Sequence, residues 1–243
     1  MNKIQVELNF LTDEIMLLPH CAPIFFLPSD RARPSDIPNN GTVSLIDTGT
    51  KKLLVTCCHV WHGFVDYRDK NPSAKLGVIF ANGFGTPEFL DEQVPVVDST
   101  IDLAVFEART DIWDMGKKEF YGIHRWPVPK GKIDEPIAFL GFPGEGRRAS
   151  EHVGSFRYHV CGSTVEGVSE LGLRLRKGHR TRGPTGETIS PVEIGGVSGS
   201  PAFARSSKGG FRLVGFVKMG GSSADPIFVA HAAFLNSDGS LSR

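Results

Sequence analysis

Gly195-Gly196-Val197-Ser198-Gly199-Ser200-Pro201 is the stretch that decides how this chain folds. A serine set among glycines, with proline three residues on, suits a tight turn that lifts the hydroxyl into a cleft. Such a turn also leaves its own backbone N–H groups free. A serine nucleophile needs both an exposed Oγ and donors for the oxyanion that forms when it attacks a carbonyl. Working outward, Leu53-Leu54-Val55-Thr56-Cys57-Cys58-His59-Val60 reads as a buried apolar strand running into small residues and then a histidine. Ser99-Thr100-Ile101-Asp102-Leu103-Ala104-Val105-Phe106 places one acid at the mouth of another apolar strand. The order along the chain is therefore His59, Asp102, Ser198, at separations of 43 and 96 residues.

That order is the one found in the chymotrypsin/trypsin-like serine proteases, and the local sequences resemble that family. Thr56-Cys57-Cys58-His59-Val60 is similar to its T-A-A-H-C/V signature, with cysteines in the two alanine positions. Ile101-Asp102-Leu103-Ala104 is similar to D-I/L-A-L, and Gly196-Val197-Ser198-Gly199-Ser200-Pro201 to G-x-S-G-S/G-P. The last pattern resembles most the bacterial glutamyl-endopeptidase-like and HtrA-like branches, and the similarity runs from about Gly41 to Leu235. The resemblance implies an all-β fold of two Greek-key, six-stranded β-barrels with the site between them. Residues 1–112 would form the N-terminal barrel with a leading segment, 113–132 a linker, and 133–243 the C-terminal barrel.

The roles implied are Ser198 as nucleophile, His59 as general base and acid, and Asp102 as the group that orients the imidazole. The N–H groups of Gly196 and Ser198 would form the oxyanion hole. Asp98 is a rival acid four residues earlier, in a Val-Asp-Ser-Thr context that fits a turn cap better. The segment Leu213-Val214-Gly215-Phe216-Val217-Lys218-Met219-Gly220 resembles the family's substrate-pairing V-G-I-V-S-W-G, with Lys218 and Met219 in place of serine and tryptophan. Lys218, Met219, Gly220 and the upstream Glu193 are accordingly the substrate-binding residues. Glu193 and Lys218 either read opposite charges on a substrate or pair with each other. Val197 stands where pancreatic relatives carry the aspartate that captures a new N-terminus. Something else must then set the oxyanion loop: it is preformed, or a protein partner orders it.

Composition agrees with a β-rich domain pair. Among 243 residues there are 28 glycines and 16 prolines scattered between short apolar runs. The charges balance at 27 basic and 27 acidic, so no global field points to nucleic acid or an anionic membrane. No apolar run approaches the ~20 residues of a membrane span. The first residues lack the apolar core of a secretory signal, which places the protein in the cytoplasm. Four cysteines are too few for a disulfide framework and read as buried, reduced thiols. A metal site from Cys57, Cys58, His59 and His62 lacks a second ligand cluster at zinc-like spacing. The basic run Arg174–Arg182 has no interleaved aromatics for stacking bases and reads as a solvated edge.

Strands are expected at Thr42–Asp47, Lys52–Thr56, Leu76–Phe80, Gln93–Val97 and Leu103–Ala108, with a short helical turn after His59. In the second half they are expected at Ser155–Val165, Leu171–Arg176, Ala202–Ala204, Phe211–Lys218 and Ile227–His231, after an apolar run at Pro136–Pro143. The sequence thus points to a bacterial serine endopeptidase acting on polypeptides without a cofactor. Two other readings remain: a latent effector in stress or antiphage defence that a protein partner activates, and a protease-fold binding protein that does not turn over.

Overall fold

The computed structural model describes residues 12–29, 36–80, 87–90, 92–108, 118–144, 147–149, 154–176, 180–182, 195–205, 210–218 and 226–243. The first half contains β1 (Cys21–Leu27), β2 (Asn40–Asp47) and β3 (Lys52–Thr56), followed by the helix α1 (Cys58–Lys70). It continues through β4 (Lys75–Val78), β5 (Glu88–Phe89), β6 (Val96–Asp98), β7 (Leu103–Glu107) and β8 (Tyr121–Gly122). The second half holds β9 (Pro136–Gly141), β10 (Arg147–Ala149), β11 (Gly154–Phe156), β12 (His159–Val168) and β13 (Gly172–Leu175). After β14 (Arg180–Arg182) come β15 (Pro201–Arg205), β16 (Phe211–Lys218) and β17 (Phe228–His231).

The all-β, two-barrel expectation holds, and the halves differ in closure. In the second half the order β13-β17-β16-β15-β9-β12 returns on itself through a β12–β13 pairing, giving a closed ring of six strands. The first half runs β5-β4-β1-β2-β3-β7-β6 and stops, a curved half-barrel sheet with β8 added in parallel to β2. Its two edges belong to one stretch of chain: β5 pairs with β4, and β6, seven residues on, pairs with β7. Between them Gln93 N–H donates to Leu90 C=O at 2.9 Å, turning the chain away from the ladder.

Three apolar clusters follow from the two faces of each strand. Val43, Leu45, Leu54 and Phe106 fill the first sheet together with Val60 and Phe64 of α1. Phe139, Val165, Leu175, Val214 and Val229 fill the second ring. A third cluster, including Phe25, Ile46, Leu140, Phe203 and Phe216, joins the halves face to face.

Two local expectations need correction. The leading segment, in which no strand was expected, contains β1, seven residues buried throughout and hydrogen-bonded to both β2 and β4. The helical turn after His59 is a 13-residue helix, because Val60 and Phe64, one turn apart, both reach the core.

Candidate active site

Ser198 lies on the turn ahead of β15, and the turn is strapped down from within. Ser200 directs both its N–H (3.0 Å) and its Oγ (2.6 Å) to the Val197 carbonyl. Val197 itself is fully buried in the second ring, so its side chain acts as a core anchor. Gly196 and Gly199 hold φ of +102° and +93°, values that favour glycine. A Cβ on Gly199 would sit 2.1 Å from the Thr42 carbonyl oxygen.

The loop is also held from the opposite half. Along β2, Asn40, Thr42 and Ser44 alternate on one face, and all three are buried. Asn40 Nδ2 donates to Phe142 C=O at 2.6 Å. Thr42 Oγ1 donates to Gly196 C=O (2.9 Å) and accepts from Phe142 N–H (3.0 Å). Thr42 N–H meets Ser198 C=O at 2.9 Å, and Ser44 Oγ meets Gly199 C=O at 2.7 Å. With the carbonyls of residues 196, 198 and 199 so engaged, the N–H groups of Gly196 and Ser198 make no hydrogen bond among the described residues. Two unengaged donors on one turn are what an oxyanion hole requires.

Residues 40, 42 and 44 were not singled out from the sequence. A period-two row of small polar residues is ordinarily the solvent face of a strand. Here the row faces the other half, and the only signal was that it lies within an apolar strand.

His59 opens α1, and its imidazole is 46% exposed. Its Nδ1 lies 2.8 Å from Asp102 Oδ2, while its backbone N–H donates to Asp102 Oδ1 at 2.9 Å. The carboxylate thus grips the histidine twice, fixing which ring nitrogen faces away. Asp102 adopts φ +59°, a left-handed conformation that aspartate tolerates better than most residues. Asp98, the rival acid, instead caps the turn: its Oδ1 accepts from Thr100 N–H (2.8 Å) and Ile101 N–H (3.3 Å). The Arg243 guanidinium bonds both its oxygens and, with these N–H groups, holds Asp98 below the usual carboxylate range.

A single carbonyl links the His59–Asp102 side to the serine turn. Val217 C=O accepts from Gly199 N–H at 2.8 Å and from Cys57 Sγ at 3.2 Å. Ser198 is only 4% exposed, and its Oγ makes no hydrogen bond among the described residues. Catalytic hydrogen bonds are often long in ligand-free sites and tighten on substrate.

No disulfide joins the four cysteines, and all four are buried. Cys57 Sγ, a ring nitrogen of His59 and a carboxylate oxygen of Asp102 lie within 4.8 Å of one another, the one metal-capable group among the described residues. Burial pushes the Cys57 thiol well above its ordinary value, so it rests as a donor to Val217 rather than as a thiolate. Cys58 does not join this group. Its sulfur contacts His62 (3.7 Å to Nε2) and Ser99 Oγ (3.5 Å).

Of the expected substrate-binding residues, Glu193, Met219 and Gly220 lie outside the described residues. Lys218 lines a pocket of about 390 Å³ with Val168, Leu171, Leu173, Arg174 and Phe228. Its ammonium makes no ion pair among the described residues. In the basic run, Arg174 pairs with Glu166 at 3.6 Å and Arg176 with Asp134 at 3.3 Å, all four side chains being well exposed. These two arginines stand exposed, as expected of the run, while residues 177–179 lie outside the described residues.

Solved structures of similar shape were found. Deg5 shares 14% identity over 95% of this chain and 91% of its own, with a TM-score of 0.51. A thermostable serine protease, AL20, from an extremophilic microorganism shares 15% over 88% and 91%, with a TM-score of 0.49. No protein-family model and no curated protein matches the chain. At such identities the likeness to Deg5 shows the fold alone. None of the helices among the described residues is long and apolar enough to cross a membrane.

Proposed function

We propose that this chain is a serine endopeptidase of trypsin-like type, acting through His59, Asp102 and Ser198. The observation that carries the reading is the double grip of Asp102 on His59, at 2.8 and 2.9 Å, beside a serine turn with two unengaged N–H groups. Ser198 Oγ attacks the scissile carbonyl carbon while His59 Nε2 takes its proton. Negative charge moves to the carbonyl oxygen, where the N–H groups of Gly196 and Ser198 receive it. One such donor is worth ~3 kcal/mol of barrier. The C–N bond then breaks, and His59 returns the proton to the leaving amine. Water, deprotonated by the same imidazole, releases the acyl group from Ser198. Asp102 keeps the imidazole in the required tautomer and stabilises its charged form.

The loop needs no new N-terminus to form, since Thr42 and Ser44 already hold it. That favours activity in the chain as it stands over a form awaiting a partner. The test is intact mass after treatment with a fluorophosphonate probe. One adduct on the wild type, mapping to Ser198 and missing from Ser198→Ala, is expected. Absence of an adduct on folded wild-type protein would overturn the reading.

A further inference from the structure

Cys57 has no place in the proposed chemistry, yet its sulfur is packed against the two side chains that matter most. The donors of Cys57, His59 and Asp102 lie within 4.8 Å of one another, and the nitrogen–oxygen pair is already at 2.8 Å. A tetrahedral ion with a sulfur ligand at ~2.3 Å and nitrogen and oxygen ligands at ~2.0 Å needs donors ~3.3–3.6 Å apart. Modest side-chain rotation reaches that spacing. One sulfur, one nitrogen and one oxygen suit Zn²⁺ or Cd²⁺ and disfavour Mg²⁺ and Ca²⁺. The half-exposed imidazole gives an approach from solvent. Asp102 Oδ1 can stay on the His59 backbone N–H, so binding leaves the turn's geometry in place.

We propose that Cys57 Sγ, His59 Nδ1 and Asp102 Oδ2 form a binding site for a soft divalent cation that reversibly blocks the catalytic pair. The proton balance explains the block. The Cys57 thiol gives up its proton to solvent as the sulfur–metal bond forms, because a coordinating thiol is deprotonated outright. The hydrogen on His59 Nδ1 is replaced by the metal, and the neutral ring carries its proton on Nε2 instead. That is the nitrogen which must accept from Ser198, so the base is lost while the serine turn stays intact. The functional consequence rests on the protease reading above; the binding itself does not.

Co²⁺ reports on the site directly, through a sulfur-to-cobalt charge-transfer band in the near ultraviolet. The wild type should show this band at one equivalent and lose it on adding Zn²⁺. Cys57→Ala should lack the band, and Cys58→Ala should keep it, which sets aside the Cys58–His62 contact. In parallel, Zn²⁺ should stop fluorophosphonate labelling of the wild type, and EDTA should restore it. Labelling of Cys57→Ala, measured against its own metal-free rate, should need at least about tenfold more Zn²⁺ to be stopped. No band in the wild type, or a band that survives Cys57→Ala, overturns the proposal. Failure of labelling without any metal would count against the protease reading alone, since the cobalt band does not depend on turnover.

Discussion

The two halves of the molecule hold their parts of the site in different ways. The serine turn belongs to a ring in which all six strands have neighbours on both sides, so its backbone is fixed by the barrel behind it. His59 and Asp102 belong to a sheet that ends at β5 and β6, and Asp102 lies only four residues past the edge strand β6. Here the fixing is done by single side chains: Asp98 capping the turn, Asp102 gripping His59, and Arg243 gripping Asp98. On the reading proposed above, the closed half would supply the oxyanion donors and the open half the base and its orienting acid. Proton transfer needs a base that can swing slightly, whereas oxyanion stabilisation needs donors that do not move.

Four measurements can break or sharpen that contrast. The largest effect should come from Gly199→Ala. The new methyl group meets the Thr42 carbonyl at 2.1 Å in a left-handed backbone, so the halves cannot stay in register. A loss of more than about 3 kcal/mol is expected in denaturant unfolding. A near-neutral result would mean that the seam is looser than the fixed-donor picture allows.

Thr42→Val should come next. It removes the bond to Gly196 C=O and leaves Phe142 N–H without its acceptor, at a cost of about 1–3 kcal/mol. Fluorophosphonate labelling of the still-folded variant should slow by about tenfold or more, because the loop that aims the donors has lost a tie. Unchanged labelling would show that the closed ring holds the loop without help.

Amide hydrogen exchange compares the sheets directly. Val96 and Val97 on β6 should exchange about tenfold or more faster than Leu173 on β13, which is paired on both sides. Equal protection would remove the distinction between the halves.

Asp98→Asn should be the mildest change at neutral pH. Because Asp98 is held below its ordinary value in the folded state, its contribution is full above about pH 4 and fades as the pH falls through the lowered folded-state pKa. Melting temperatures of wild type and variant should therefore differ above that range and converge towards pH 2–3. A difference that persists in acid would show that the carboxylate's charge is not what matters.

The candidate site was legible in the sequence where the proposed chemistry demands particular residue types. A histidine, acid and serine in those proposed roles need strand ends and a glycine turn, and those leave local marks at residues 53–60, 99–106 and 195–201. Strands β3 and β16 fall within the runs read for them, because runs such as Leu53-Leu54-Val55 pack on both faces. β1 escaped notice because Cys21-Ala22-Pro23 follows a Pro-His turn and interrupts the apolar signal, although Pro23 fits a strand whose neighbour bonds lie elsewhere. The seam was hidden for a different reason. Thr42 and Gly196 are 154 residues apart, and nothing near either one says that they meet. Nor did the sequence around Cys57 show that its sulfur would reach a carbonyl of β16.

The division of the site across that seam also bears on how the chain is made. Synthesis proceeds from the N-terminus, and domains tend to fold as they emerge. The half that appears first carries an imidazole and a carboxylate, and 96 residues separate Asp102 from the serine that would complete the set. The side chains of Thr42 and Ser44 then lack the Gly196 and Gly199 carbonyls that they bond in the folded protein. On the protease reading, a nascent or truncated chain would carry no nucleophile, and cutting power would arrive last, with the turn that those two side chains receive.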